Sequence, residues 1–303
     1  MNPHQVPGEE ADLEGLADLL AASGQYRVLR RLAPHASCEA AEGEVVRLGL
    51  FVDVETTGLD PARDEIIELA LVPFTYTTAG RILAVEPAFQ GQREPSRPIP
   101  PEITALTGID DAMVAGQIID AQAVARFAAP AALVVAHNAS FDRKFLERFC
   151  EVFTTKAWAC SMSQVDWQAE GYEGTKLAYL ATDAGFFYEG HRAADDCLAA
   201  IDLLARSHPG SGRTGLAMLL ERARIPTWRI WAENAPFDLK DLLKARGYRW
   251  NAEGAGGPRA WFVDVLDAAR EAELTWLQAE IYCGEVDLRT RRIDAYDRFS
   301  DRC

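Results

Sequence analysis

LGLFVDVETTGL, residues 48–59, opens as a buried β-strand and then places two carboxylates, Asp53 and Glu55, one residue apart. Side chains alternate across a strand, so Asp53 and Glu55 share one face while Val52 and Val54 take the other. On its own, an Asp-x-Glu pair marks a polar strand end entering a turn, here at Gly58. Two acids further along the chain change that reading.

Residues 140–150 have helical spacing. Asp142 falls on one face with Phe145, Leu146 and Phe149, at i+3, i+4 and i+7. Arg143, Lys144, Glu147 and Arg148 take the other side. In a second predicted helix, 192–206, Asp195 shares a face with Asp202 and Arg206 and reads as solvated. Asp196 lies with Ala193, Ala200 and Leu203 on the side that packs. Four carboxylates therefore point toward a core from three elements. Burying one unpaired carboxylate costs several kcal/mol or more, and four together repel and are driven to protonate. No inward-facing Arg or Lys is evident nearby, so a cation is required. Oxygen-rich clusters suit hard divalent ions, Mg²⁺ or Mn²⁺. Two such ions, about 3.5–4 Å apart, can clamp the attacking and leaving oxygens of a phosphoryl transfer.

The chain has five histidines, at 4, 35, 137, 191 and 208. His4 and His35 lie in the N-terminal segment and His208 in a Gly/Ser/Pro stretch. His191 follows Tyr188-Glu189-Gly190 and directly precedes the helix that carries Asp196. A loop-borne histidine beside such a cluster can accept a proton from water. His137, in HNASFD, reads as a structural residue that shapes its loop.

The 303 residues suffice for two modest domains, with 49% hydrophobic and 25% charged residues. A net charge of −15 argues against a general polyanion-binding surface, though not against a local basic patch. None of the six cysteines has Cys-x-x-Cys spacing, and Cys150 and Cys197 fall on apolar helical faces, as expected of a reducing cytoplasmic setting. The N-terminus lacks a signal pattern, and no apolar run reaches the roughly 18 residues of a membrane helix.

The expected organisation is an N-terminal extension (1–46), an α/β domain (47–207), a linker (208–214) and a small α+β module (215–303). The extension holds a helix over 11–22 and a strand over 26–32. The domain has strands over 48–54, 65–76, 81–89 and 133–136. Its helices span 101–106, 120–129, 140–150, 175–184 and 192–206, flanking a mixed sheet. In the module we expect a helix (215–223), a strand (227–232), a helix (238–246), a hairpin across 254–257 and a final helix (265–282).

Three motifs now stand in order: FVDVETTGL with Asp53 and Glu55, HNASFD ending at Asp142, and HRAADD with His191 five residues before Asp196. Over about residues 47–207 the chain resembles the DEDDh (DnaQ-like) 3′–5′ exonucleases, the group that includes the proofreading subunit of bacterial replicative polymerases. DEIIELALV and IPPEITALTGID add to the likeness. The resemblance implies a ribonuclease H-like fold and two metal ions held by Asp53, Glu55, Asp142 and Asp196, with His191 as general base. It also implies hydrolysis from a 3′ end that releases nucleoside 5′-monophosphates. Thr56, Thr57 and Leu59 would then lie beside the terminal nucleotide, with Leu59 as a wedge, and Thr107 and Gly108 would line the same cleft. Turn chemistry and helix termination account for these residues equally well.

Residues 224–263 carry seven basic and four acidic residues in an otherwise acidic chain, with four of the seven tryptophans: Trp228, Trp231, Trp250 and Trp261. Interleaved aromatic and basic residues suit stacking on a single strand. Packing, with Trp250 and Trp261 paired across a hairpin, is the competing reading. The leading expectation is a metal-dependent exonuclease on single-stranded DNA with a free 3′ end. Its rivals are an exoribonuclease or oligoribonucleotide scavenger, a proofreader working with replication or repair proteins, and an inactive nucleic-acid-binding adaptor.

Overall fold

The computed structural model describes residues 12–303 other than 253 and 255. Its strands are β1 (Arg30–Arg31), β2 (Val46–Thr56), β3 (Ile66–Thr77), β4 (Ile82–Val85), β5 (Phe89–Gln92), β6 (Leu133–Ala136), β7 (Trp158–Cys160), β8 (Phe186–Phe187), β9 (Thr227–Ala232), β10 (Arg249–Trp250), β11 (Trp261–Leu266) and β12 (Thr290–Ile293). Its α-helices are α1 (Leu13–Ala22), α2 (Pro101–Thr107), α3 (Asp111–Val114), α4 (Ala121–Ala128), α5 (Ala139–Phe149), α6 (Leu177–Asp183), α7 (Ala193–Ala205), α8 (Gly215–Arg224), α9 (Lys240–Ala245) and α10 (Arg270–Trp276). No helix among the described residues is long and apolar enough to cross a membrane.

The main sheet is mixed, in the order β4-β3-β2-β6-β7, with β5 also paired to β3. β2, β3 and β4 run antiparallel, and β6 and β7 lie parallel to β2. The period of two in β2 decides which helices cover which residues. Leu50, Val52 and Val54 pack with Leu69, Leu71, Phe145 and Leu146, on the α4/α5 side. Phe51 packs with Ala70, Val72, Ala200 and Leu203, on the α7 side. Gly49 is obligatory where it stands, because the Phe74 ring crosses it and a Cβ would come within 2.4 Å of Phe74 Cζ. This is the expected α/β architecture, a mixed sheet flanked by helices.

Several expectations need correction. The strand expected over 26–32 shortens to β1, which pairs in parallel with β8. Residues 81–89 form two strands rather than one, since Pro87 has no N–H to give to a ladder. The predicted final helix 265–282 starts only at Arg270, because its first residues end strand β11. The helix expected from residue 11 is present from Leu13, with residue 11 itself outside the described residues, and its leucines are exposed. β7, β8, β12 and α3 are too short for periodicity to reveal. α8, expected with the C-terminal module, packs Leu216, Leu219 and Leu220 into the same core as α7. Between them the Gly/Ser/Pro stretch is a turn closed by Ser207 and Thr214, with His208 buried against Trp167 and Tyr172.

The remainder forms a four-stranded antiparallel sheet, β10-β11-β9-β12, whose core holds Ile230, Leu243, Tyr248, Leu277 and Ile281. Residues 294–303 then return to the main sheet. The Trp158 amide of edge strand β7 donates to the Ala295 carbonyl (2.8 Å). Arg143, expected on a solvated face, is fully buried under this tail. Its guanidinium pairs with Glu147 (2.7 Å) and donates to the carbonyls of Tyr296 and Arg298 (2.6 Å each). Arg302 and Ser300 complete the Glu147 site. Helical periodicity could not show this, because the covering segment is more than 140 residues away.

Removing one partner of a buried ion pair leaves the other uncompensated. Arg143→Ala should therefore lower unfolding free energy by about 3 kcal/mol, measured by denaturant titration. It should also expose residues 294–303 to limited proteolysis, whereas Arg148→Ala should do neither.

Candidate active site

Along β2, strand β6 reaches only Gly49–Phe51. Beyond Phe51 that edge of β2 has no neighbouring strand among the described residues, and the chain leaving β6 turns directly into α5. Asp142, in the first turn of α5 and buried, accepts the free Val54 N–H at 3.2 Å. It thus docks between Asp53 and Glu55. α7 crosses the opposite face of β2 and brings Asp196, so that carboxylate oxygens of Asp53, Glu55 and Asp196 lie within 4.8 Å of one another. Asp196 is itself oriented: the Tyr188 hydroxyl donates to Oδ1 (2.9 Å) and the Arg192 amide to Oδ2 (3.1 Å). All four acids anticipated from the sequence are brought to one place. Asp195 points away, on the side where Asp202 pairs with Arg206 (2.6 Å).

A fifth carboxylate was missed. Glu68 of β3 is buried and lies directly opposite Glu55 in the antiparallel register. Its oxygens accept the Ala193 amide at the start of α7 (3.0 Å), Arg192 Nη2 (3.0 Å) and Gln92 Nε2 (3.2 Å). Glu68 thereby caps α7, whose own N-cap residue supplies no side-chain bond, and its negative charge suits the helix N-terminus. The available signal was a lone charge in the apolar run IIELALV, but only the register shows that it faces Glu55. Arg192 likewise corrects the expectation that no basic side chain stands nearby.

Electrostatics express the crowding. Burial, then repulsion by Asp142, Asp196, Glu55 and Glu68, pushes Asp53 well above the carboxylate range. Glu55 rises to about 7, through burial and the charges of Asp196 and Glu68, opposed by Arg192. Asp142 rises to about 8, chiefly through burial, although the Val54 amide works against it. Burial raises Asp196 too, while Tyr188 and His191 pull it back. Four oxygen-donor groups with too little positive charge among them fit hard divalent cations.

His191 is exposed at the mouth of the site, and its backbone is left-handed (φ 63°). Such a conformation costs a non-glycine residue on the order of 1–3 kcal/mol. His137 is instead pinned: Nε2 meets the Thr175 carbonyl (2.7 Å) and Nδ1 the Ser161 hydroxyl (2.9 Å). Burial lowers it to about 4, so it is neutral and structural, as expected.

The other anticipated residues divide. Thr56 donates to the Gly58 carbonyl (2.6 Å). The Thr57 hydroxyl accepts the Glu65 amide (3.0 Å). Both hold the turn after β2. Leu59 stands 83% exposed beyond them. Thr107 Oγ1 donates to the Ile103 carbonyl (2.9 Å) and accepts the Ile109 amide (3.1 Å), and Gly108 ends α2 at φ 72°. Those two residues terminate a helix beside the small cluster of Ile67, Ile99, Ile109 and Val114.

The raised carboxylates set a pH dependence. A carboxyl whose folded pKa exceeds its unfolded value contributes stability that is present below the unfolded pKa and lost as pH rises through the folded one. For Glu55 and Asp142 the folded values are about 7 and about 8. Metal-free protein should therefore lose melting temperature progressively from about pH 4.5 to pH 8. Millimolar Mg²⁺ or Mn²⁺ should restore most of it at pH 8. Scanning fluorimetry with and without chelator checks this, and Asp142→Asn should flatten the metal-free profile.

The chain can now be set beside known proteins. A family model described as an exonuclease matches residues 50–204. The chain is 31% identical over 173 residues to the DNA polymerase III PolC-type protein of Caldanaerobacter subterraneus subsp. tengcongensis, covering 54% of this chain but only 12% of that protein. It is 32% identical over 162 residues to the DNA polymerase III subunit epsilon of Treponema pallidum, covering 50% of this chain and 72% of the relative. Among solved structures, the zinc-bound form of an E. coli exonuclease I–single-stranded DNA complex superimposes with a TM-score of 0.50 at 14% identity. It covers 73% of this chain and 63% of that one, which speaks for the fold alone.

Proposed function

This chain belongs to the exonuclease family matched over residues 50–204, and on that premise we propose that it removes nucleotides from the 3′ end of single-stranded DNA. The products are nucleoside 5′-monophosphates. The observation that carries this reading is the convergence of Asp53, Glu55 and Asp196 within 4.8 Å, with Asp142 alongside on the Val54 amide.

Asp53, Glu55, Asp142 and Asp196 would hold two Mg²⁺ or Mn²⁺ ions. Such ions, when bound, supply charge neutralisation at the attacking and leaving oxygens. The protein's own groups do the rest. Tyr188 and the Arg192 amide fix the Asp196 carboxylate in direction. Glu68 holds the start of α7, and hence Asp196, against the strand that carries Glu55. His191 accepts the proton of the attacking water from its exposed place at the mouth. Leu59, exposed and apolar, offers a surface for the terminal base, on a turn braced by Thr56 and Thr57. Much of the acceleration comes from positioning and fixed charge.

DNA is favoured over RNA because the relatives in both cases are named for DNA polymerase III. The same names favour a second reading, in which the activity serves a replicative polymerase. The chain spans only 12% of the PolC-type relative, so the second reading concerns a shared domain.

A gel assay on 5′-labelled DNA and RNA of matched sequence tests the first. We expect a divalent-dependent ladder shortening from the 3′ end of DNA, abolished by Asp53→Ala. His191→Ala should slow it about 10²–10⁴-fold. Internal cuts, a ladder on RNA alone, or retained binding without cleavage would each sink it.

A further inference from the structure

The small C-terminal sheet presents a row of rings and cations on its outer side. Phe237, in the turn before α9, is 75% exposed, and Lys240 Nζ lies 3.9 Å from its centroid. Lys244 is one helical turn further on the same face. Its Nζ sits 5.9 Å from the Trp261 ring. Trp261 meets Trp250, its cross-strand partner, edge to face at 5.7 Å, and Trp250 is 50% exposed. Phe237, Lys240, Lys244, Trp261 and Trp250 thus form one row, with two lysines between a ring at one end and two paired rings at the other.

Packing explains only part of it. Trp231 is buried, and Arg229 over Phe262 is neutralised by Asp264 (2.8 Å), so those residues serve the module's own interior. The pairing of Trp250 with Trp261 is likewise the hairpin contact that the sequence suggests. It does not explain why large faces of Phe237 and Trp250 remain in water. Nor does it explain why two lysines stand between them, whose one counter-charge among the described residues is a 3.8 Å contact from Lys244 to the exposed Asp241. Arg249 alternates with Trp250 on β10 and points the other way. There it lines a cavity of about 520 Å³ that reaches Asn138 and Ser140 at the start of α5.

We propose that this row is a binding platform for single-stranded DNA, on which bases stack against Phe237 and Trp250 while Lys240 and Lys244 meet the phosphates. Half or more of each of these two rings is exposed, which leaves surface for a base. Stacking of this kind tolerates any base. The platform would retain the strand while its 3′ end is cut, so the choice of DNA as occupant rests on the exonuclease reading above.

The test is equilibrium binding of a fluorescent DNA strand of about 20 nucleotides to the full chain, in chelator so that nothing is cleaved. Phe237→Ala and Trp250→Ala should each weaken Kd about 5- to 100-fold, and Trp250→Phe should recover most of the loss. Lys240→Gln with Lys244→Gln should reduce the log Kd–log salt slope by about 1.4, as two released phosphate contacts predict. Unchanged affinity in both alanine variants, or losses confined to a matched RNA, would overturn the platform. Phe237 is exposed enough that its variant keeps the test readable should Trp250→Ala unfold, with circular dichroism as the check. Hydrolysis of a trinucleotide by the unaltered chain reads the exonuclease assignment separately. Its absence beside ring-dependent binding would remove that assignment and leave the platform standing.

Discussion

Everything at the site depends on keeping mutually repelling carboxylates together. Left to themselves, Asp53, Glu55, Asp142 and Asp196 would separate or take up protons. The fold gives them no room to separate. Asp53 and Glu55 are rigidly spaced by the pleat of β2. Asp142 is held by the Val54 amide, which the early end of β6 leaves free. Asp196 is tied by Tyr188 and by the Arg192 amide, and the helix bearing it is capped by Glu68. Strain is carried into the site in advance, as raised carboxylate pKa values and as the left-handed backbone of His191, and the divalent cations we propose would relieve the first of these.

Glu68 shows how a buried acid can be structural at the edge of a reactive cluster. It is a carboxylate on the same sheet face as Asp53 and Glu55, yet its hydrogen bonds go to a helix terminus and to Arg192. A charge satisfied by two or three donors is stable where an unpaired one would not be. Arg143 follows the same logic where the C-terminal tail covers α5. Its donors are taken by Glu147 and two tail carbonyls, so the last ten residues close over the edge of the main sheet. That contact fastens the small C-terminal sheet beside the exonuclease core and forms the cavity between them.

Legibility from sequence followed the range of the interaction. β2, α5 and α7 were readable because their periodicity is local, β6 because it is a short apolar run, and parity along β2 correctly separated Asp53 and Glu55 from Val52 and Val54. Helical phase also chose Asp196 over Asp195. The misses share another cause. β7, β8 and β12 span two to four residues and carry no usable period. Glu68 opposes Glu55 only through an antiparallel register, and Arg143 is buried only because a distant tail covers it. Thr107 and Gly108 read as cleft residues by resemblance, while their visible bonds are those of a helix end.

The amino-acid sequence by itself determined the α/β class, the family and the four acids and histidine of the motifs. These rest on residue type, parity and helical phase, which are properties of short stretches. Only the tertiary structure decided that the acids meet, that Glu68 and Arg192 join them, and that rings and lysines from α9, β10 and β11 line up in one row. Those facts come from strand register and helix docking, and both are settled by burial of surfaces that lie far apart in the chain.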